Sequence, residues 1–441
     1  MVDVALIKQR YDMIKRTRQG MSNWLFNQVI KSANIQQKSK RTNYMKTIAS
    51  NDDNFFLAQK DWTFPVPIAY GPGRLADIGN ICRRLYASNP LIVTDSGSNN
   101  LPFIKTLTDH LNTSSLSSTV FSGISPNPRD DEIEAGCQAY RDGKHDAIIA
   151  IGGGSAMDGA KAIGMTVNSN VALWDFEYRK PLPAVGPDRP FPPFITIPTT
   201  AGTGAETESY SMVTDTEKGM KFCLAHPGMR PSQAILDPKL TVDLPAHLTA
   251  WTGVDALTHA VEAYIVPAFH PLSDGAALEG LKLIAKWLPI AFREPENIAA
   301  RGAMLTGSCL AGIAFNKGLG LVHAISHMVG GEFDTQHGLT NAVILPVVMR
   351  FNLPGLDEKV LRMAQVMGLD DTSVDAVIAE IESLLDTVKI PKSLTEIGVP
   401  PDCAQGIAEK AMLDSAVGTN PRRASLEEVK ALVENALRKA R

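Results

Sequence analysis

The chain contains little cysteine, and what there is lies scattered. Cys82, Cys137, Cys223, Cys309 and Cys403 are odd in number and include no Cys-x-x-Cys pair. That excludes a disulfide framework and a cysteine zinc knuckle, and it fits reduced thiols in the cytoplasm. No run of about 18 apolar residues occurs, so no membrane span is expected. The N-terminus also lacks the uninterrupted apolar core of a secretory signal. Nor is there a large excess of one charge: a net charge of −4 and a pI near 6.2 argue against nucleic acid as a partner. No internal repeat or low-complexity tract stands out.

What is present is an ordinary globular composition, 44% apolar and 20% charged, in 441 residues. That length exceeds what one core usually fills, so more than one domain is expected. Charge is unevenly spread. Residues 1–50 carry ten Lys or Arg against Asp3 and Asp12, a balance of +8, leaving −12 for the remainder. Val4, Ile7, Tyr11 and Ile14 fall at helical spacing among these basic residues, so residues 1–61 are expected to be a basic extension opening with an amphipathic helix. An arm packed on the protein or on a neighbouring subunit, or an upstream start codon, suits this segment better than a membrane-surface helix.

From about residue 62 the pattern alternates. Apolar runs at Leu91–Asp95, Asp146–Ile151 and Phe194–Ile197 read as strands, with helical periodicity at 74–87, 130–142 and from Ser155. Such alternation implies a mostly parallel sheet covered on both faces. After Asp237 the strand signals fade, and 245–265, 271–293, 296–315, 357–368, 373–387 and 424–439 carry helical period. The expected architecture is an α/β domain over 62–240 followed by an all-α domain over 241–441.

Directly after the strand 146–151 stands Gly152-Gly153-Gly154-Ser155. Three glycines allow a sharp turn and close backbone approach, and the following helix presents its unpaired N–H groups to a ligand. A pyrophosphate is the natural occupant, although neither the Gly-x-Gly-x-x-Gly fingerprint nor the Gly-Lys-Ser/Thr of a triphosphatase loop is present. A second candidate is Thr199-Thr200-Ala-Gly-Thr203, at a strand's carboxyl end, where open α/β sheets bind ligands. Asp95, ending another strand, suits either a ribose hydroxyl or a local cap.

Four of the nine histidines fall in two short segments. Gly253–Tyr264 places Asp255 and His259 one helical turn apart, and Gly320–Gly338 supplies His323, His327 and His337. One carboxylate with several neutral imidazoles suits a divalent first-row metal. By spacing alone, either His327 or His337 could complete a set with the other three.

These segments together resemble the iron-containing (group III) alcohol dehydrogenase family, over roughly residues 62–441 and in the same order. The resemblance implies a dinucleotide-binding α/β domain and a helical domain in a dehydroquinate synthase-like fold, with a metal in the cleft between them. It implies metal ligands at Asp255, His259, His323 and His337, and makes His327 a non-ligand near the substrate, a candidate proton relay. Gly152, Gly153, Gly154 and Ser155 match the pyrophosphate turn, while Thr199, Thr200, Thr203 and Lys221 match cofactor contacts. Asp95 matches the acidic residue associated with NAD preference. The usual proline after Gly-Gly-Gly-Ser is Ala156 here.

The resemblance thus implies Fe(2+), with Zn(2+) as the alternative, NAD, with NADP as the alternative, and a small primary alcohol, diol or hydroxy acid interconverted with its aldehyde. It also implies a cytoplasmic homo-oligomer. The competing readings are a zinc-dependent polyol dehydrogenase of the glycerol type and a non-catalytic nucleotide or metal sensor.

Overall fold

The computed structural model describes residues 60–62, 65–186 and 190–438. The basic segment at the N-terminus, with its amphipathic pattern, lies outside the described residues.

The first half is built on a seven-stranded sheet. Its strands are β1 (Lys60–Trp62), β2 (Ile68–Tyr70), β3 (Pro90–Asp95), β4 (Thr119–Ile124), β5 (Ala147–Gly152), β6 (Phe194–Pro198) and β9 (Gln233–Leu236), and β7 (Tyr210–Asp215) pairs with β8 (Met220–Ala225) in a separate hairpin. The sheet order is β1-β2-β9-β6-β5-β3-β4, parallel throughout except at the β1–β2 edge. Strand β5 reads Ala-Ile-Ile-Ala-Ile-Gly and is buried along its whole length, as a central strand covered on both faces must be. Covering it are α1 (Ile78–Arg84), α2 (Pro102–Thr113), α3 (Asp130–Asp142) and α4 (Gly154–Thr166).

The chain runs outward from β3 to β4, then returns to the other side of β3 with β5. The strand order therefore reverses between β3 and β5, and a crevice opens beyond their carboxyl ends. Asp95 and Gly152 end those two strands. Sequence periodicity identified β3, β5 and β6 but not β4 or the β7–β8 hairpin. Strand β4 buries only Ile124 of its six residues, and β7 alternates, so neither forms the apolar run that marks a doubly covered strand.

Beyond Leu236 no further strand occurs among the described residues. Nine α-helices follow: α5 (Ala246–Ile265), α6 (Pro271–Arg293), α7 (Ile298–Ala314), α8 (Leu321–Phe333), α9 (His337–Asn352), α10 (Asp357–Met367), α11 (Val374–Thr387), α12 (Ala404–Ala411) and α13 (Leu426–Arg438). Helix α5 is buried on every side from Thr252 to Ile265, which makes it the central pillar of this half. One stretch, Ile298–Lys317, is apolar and long enough to cross a bilayer, but 78% of it is buried inside the protein. All five cysteines are free thiols.

The two halves touch backbone to backbone. Gly204 adopts φ +64, and a Cβ on it would stand 2.4 Å from the Cα of Gly312 in α7. Only glycine at both positions lets the loop after β6 seat against that helix. This contact holds the threonine-rich loop over the helical half.

Candidate metal centre and cofactor cleft

Helix α5 projects Asp255, His259 and Glu262 at i, i+4 and i+7, one face of a helix. Helix α8 brings His323, and the short link from Phe333 to α9 brings His337 at that helix's first residue. The Nε2 atoms of His259, His323 and His337 lie 3.9, 4.0 and 3.7 Å from Asp255 Oδ1. One ligand atom from each of the four residues lies within 4.8 Å of the others. His327 is outside this group. Its ring stacks on His337 at 5.5 Å, and its Nδ1 bonds Asp414 Oδ2 at 2.9 Å.

The surrounding hydrogen bonds aim the imidazoles. Nδ1 of His259 meets the carbonyl of Gly202 at 3.3 Å, Nδ1 of His323 meets Glu262 Oε2 at 2.5 Å, and Nδ1 of His337 meets Ser326 Oγ at 3.4 Å. With every Nδ1 engaged, every Nε2 presents its lone pair to the same point. Burial holds His323 well below the ordinary imidazole range, and the neighbouring His259 and His327 act in the same direction. His337 opens 34% of its side-chain surface, but into the cleft. Desolvation there also keeps it well below its usual value, against the pull of the Asp255 carboxylate. Neutral imidazoles beside a carboxylate are the protonation states a divalent cation needs.

Asn341 shows how well the group fits. Its Nδ2 donates to Asp255 Oδ1 at 2.7 Å and lies 3.2 Å from His323 Nε2 and 3.1 Å from His337 Nε2. Three lone pairs thus converge on one amide, whose own Oδ1 is buried without a partner among the described residues. That convergence is the charge pattern of a cation site.

Glu262 is the supporting residue the sequence did not reveal. Fully buried, it also accepts the Val322 N–H at 2.8 Å, tying α5 to the start of α8. Burial pushes its carboxyl up to about 7, offset by backbone donors at Val322, Gly320 and His323. The variant Glu262→Gln keeps an acceptor but loses the charge that strengthens His323 as a ligand. Chelator competition should show metal affinity falling about 10- to 100-fold; unchanged affinity would remove Glu262 from the site.

A cleft of about 1390 Å³ runs from these ligands to the crevice at the switch point. At its far end Gly152 has φ +146, and a Cβ there would meet Ala156 Cβ at 2.8 Å and Asp95 Oδ2 at 3.0 Å. Gly153 caps α4, whose N–H groups open on the cleft. Thr199 N donates to the Gly152 carbonyl at 2.9 Å, which seats the threonine loop beside the glycine turn. Gly153, Gly154, Ser155, Thr199, Thr200 and Thr203 all line the cleft. The Ser155 hydroxyl, however, donates to the Pro126 carbonyl at 2.6 Å. Asp95 also faces the cleft, while its carboxylate accepts the Ser98 N–H and hydroxyl at 3.0 and 2.7 Å. Lys221 Nζ donates to Asn127 Oδ1 at 2.6 Å, and Asn127 Nδ2 donates to Asp334 Oδ1 at 2.8 Å, a bridge from the sheet half to the loop before His337.

Beneath the cleft lies a buried ionisable cluster that no sequence pattern announced. Lys161, with no exposed surface, donates to the Tyr210 carbonyl at 2.9 Å, with Asp158 Oδ1 3.9 Å away. Desolvation pushes Asp158, Glu206 and Glu208 up to about 6, 7 and 8, against the opposing pull of Lys161. A carboxyl raised in the folded state binds its proton more tightly than in the unfolded chain. It therefore lowers stability as pH rises from about 4.5 towards the folded value. Replacing Glu208 by glutamine should then stabilise the protein at pH 9 by ~1 kcal/mol or more relative to its effect at pH 5. Urea denaturation at both pH values checks this, and equal effects would contradict it.

Comparison with known proteins places the chain among relatives. Residues 65–238 match the family model described as iron-containing alcohol dehydrogenase. Residues 249–437 match its C-terminal counterpart, the Fe-containing alcohol dehydrogenase family. The chain is 34% identical to the NAD-dependent methanol dehydrogenase of Bacillus methanolicus, over 87% of this chain and 100% of that one. It is 36% identical to the 1,3-propanediol dehydrogenase of Klebsiella pneumoniae, covering 85% and 98%. A crystal structure of a 1,3-propanediol oxidoreductase superposes with a TM-score of 0.81 at 34% identity, covering 86% of this chain and 100% of that one. The chain belongs to the iron-containing alcohol dehydrogenase family. It is accordingly an NAD-dependent oxidoreductase acting on CH–OH groups, and the parallel sheet followed by helices is this family's fold.

Proposed function

We propose that the chain interconverts a small primary alcohol or diol and its aldehyde, with a divalent metal held by Asp255, His259, His323 and His337. The observation that carries this reading is the convergence of the three Nε2 atoms and Asp255 Oδ1 at one end of the cleft whose other end is the glycine turn. Iron, or zinc in its place, supplies Lewis acidity toward an alcohol oxygen when bound, and NAD supplies the hydride acceptor.

The protein's own residues do the rest. Gly152, Gly153, Gly154 and Ser155 would receive the pyrophosphate through backbone N–H groups, with Thr199, Thr200 and Thr203 along its edge. Lys221, on the bridge to Asp334, would orient the nicotinamide end. Asp95 would accept from a ribose hydroxyl and repel a 2′-phosphate, so NAD is preferred to NADP. His327, paired with Asp414 and stacked on His337, would carry the alcohol proton toward solvent through its ring. Phe315 packs on the His259 ring at 5.0 Å and screens the site from water.

The functional boundary between the cofactor-binding and metal-binding parts is proposed near residue 240, between β9 and α5. The free thiols support a reducing compartment, the cytoplasm, and a homo-oligomer belongs to the same reading; light scattering tests the latter. The activity is tested by NADH formation from a panel of short alcohols with the iron-loaded protein. Turnover of at least one of them is expected, with NAD favoured over NADP; no turnover of any would overturn the reading.

A further inference from the structure

Glu208 stands out in the cleft. It is 2% exposed yet lines the same cavity as the metal-ligand cluster. One of its oxygens, Oε1, is held by Asn316 Nδ2 at 3.1 Å and approached by Thr207 Oγ1 at 3.5 Å. Its other oxygen, Oε2, takes no hydrogen bond from the described residues and is not among the fully enclosed unpaired atoms. A buried carboxyl with one oxygen fixed and one open towards a cavity is a prepared hydrogen-bond partner, its outer oxygen accepting when the group is ionised and donating when it is protonated.

Its position relative to the chemistry follows from the chain. Asn316 is next in sequence to Phe315, whose ring lies on the metal-ligand candidate His259. Asn316 itself is anchored by a second bond to the Ile313 carbonyl at 3.1 Å, so the amide that holds Glu208 cannot swing freely. Phe315, Asn316 and Glu208 all line the cleft that reaches the metal ligands.

Asp158, Glu206 and Glu208 lie around one fully buried cation, Lys161, whose ion pair is to Asp158 rather than Glu208; Lys221 also acts on Asp158, and the exposed Arg230 acts on Glu208. Such a site favours a group that donates hydrogen bonds or carries positive charge, and it disfavours a carboxylate or phosphate.

We propose that Glu208, held by Asn316, is the subsite for the far end of the substrate, and that it selects alcohols carrying a second hydrogen-bond donor. The two chemistries that meet this description are a second hydroxyl and an ammonium group. This rests on reading the cleft as that of an alcohol dehydrogenase, and it narrows the substrate class to diols and amino alcohols over alkanols and hydroxy acids.

The test compares substrates matched in size, so that general damage to a variant cancels. Specificity constants are measured with the iron-loaded protein for 1,3-propanediol, 3-amino-1-propanol, 1-butanol and 3-hydroxypropanoate, and for the series one and two carbons longer. At the best chain length, the wild-type ratio of diol to matched alkanol should be about tenfold or more, with the hydroxy acid poorest. In Glu208→Leu that ratio should fall to about one or below. Glu208→Gln, nearly isosteric, should keep a preference for the diol and lose any preference for the amine.

Dissociation constants of the same alcohols, measured by calorimetry with the metal-loaded protein and NADH, give the ratio without turnover. Discrimination in binding without turnover would keep the subsite and sink the dehydrogenase reading. Turnover with a diol-to-alkanol ratio that stays within twofold between wild type and Glu208→Leu would overturn the subsite and leave the dehydrogenase standing.

Discussion

His259→Ala should lose its bound metal and, with it, on the order of 10³-fold or more in kcat/KM for any alcohol the protein oxidises. The choice of residue matters. The Nδ1 partner of His259 is a backbone carbonyl, so its removal strands no buried charge. Truncating His323 would instead leave the fully buried Glu262 carboxyl facing an empty space, mixing lost metal with lost stability. In His259→Ala the folded state should survive with near-normal helicity, while metal analysis after gel filtration finds little iron per chain. A variant that keeps a full equivalent of tightly bound metal would take His259 out of the ligand set.

Gly152→Ala attacks the other end of the cleft and should have the next largest effect. At φ +146 an alanine is strained by about 1–3 kcal/mol whatever the space. Here there is no space either, because the new methyl would sit 2.8 Å from Ala156 Cβ and 3.0 Å from Asp95 Oδ2. Relief requires the turn to move, and the turn sets where the α4 N–H groups point. NADH affinity, read by fluorescence titration, should weaken on the order of 100-fold, since a displaced helix end forfeits several backbone hydrogen bonds to phosphate. Metal content should not change, because the ligands come from other elements. A variant binding NADH as tightly as wild type would show that the glycine turn is only a tight connection.

The independence of these two effects reflects how the site is assembled, and it also explains what could be read from the sequence. The cofactor turn is local in the chain, Gly152–Ser155, and the metal cluster comes from two short stretches, Asp255–His259 within one helix and His323–His337 from α8 to the first residue of α9. Local patterns of that kind survive in a sequence because one backbone element positions them. Helix 271–293 was legible for the same reason, since its burial repeats with the helical period, whereas 246–265 and 298–314 are buried on nearly every side.

The residues that escaped notice are those whose role exists only across elements. Glu262 lies in the same motif as His259, but its function depends on meeting His323, 61 residues away. Asn341 matters because α9 sets it against lone pairs of Asp255 and His323 from two other helices, beside that of His337 on its own. Glu208 gains its character from Lys161 below it and Asn316 beside it, from three separate parts of the chain. The choice between His327 and His337 was also open from spacing alone. Tertiary packing separates them, giving His337 a place 3.7 Å from Asp255 Oδ1 and His327 a carboxylate partner in Asp414. The bridge from Lys221 through Asn127 to Asp334 is of the same kind, closing the cleft by side chains far apart in sequence.

Titration of the metal-stripped protein with Fe(2+), followed by NADH formation from the best alcohol, tests the central assignment most directly. The four converging ligands predict no turnover before metal is added, then a linear rise that saturates at one equivalent per chain. Full turnover by the stripped protein, or a rise that continues well past one equivalent, would contradict a single catalytic metal gripped by Asp255, His259, His323 and His337.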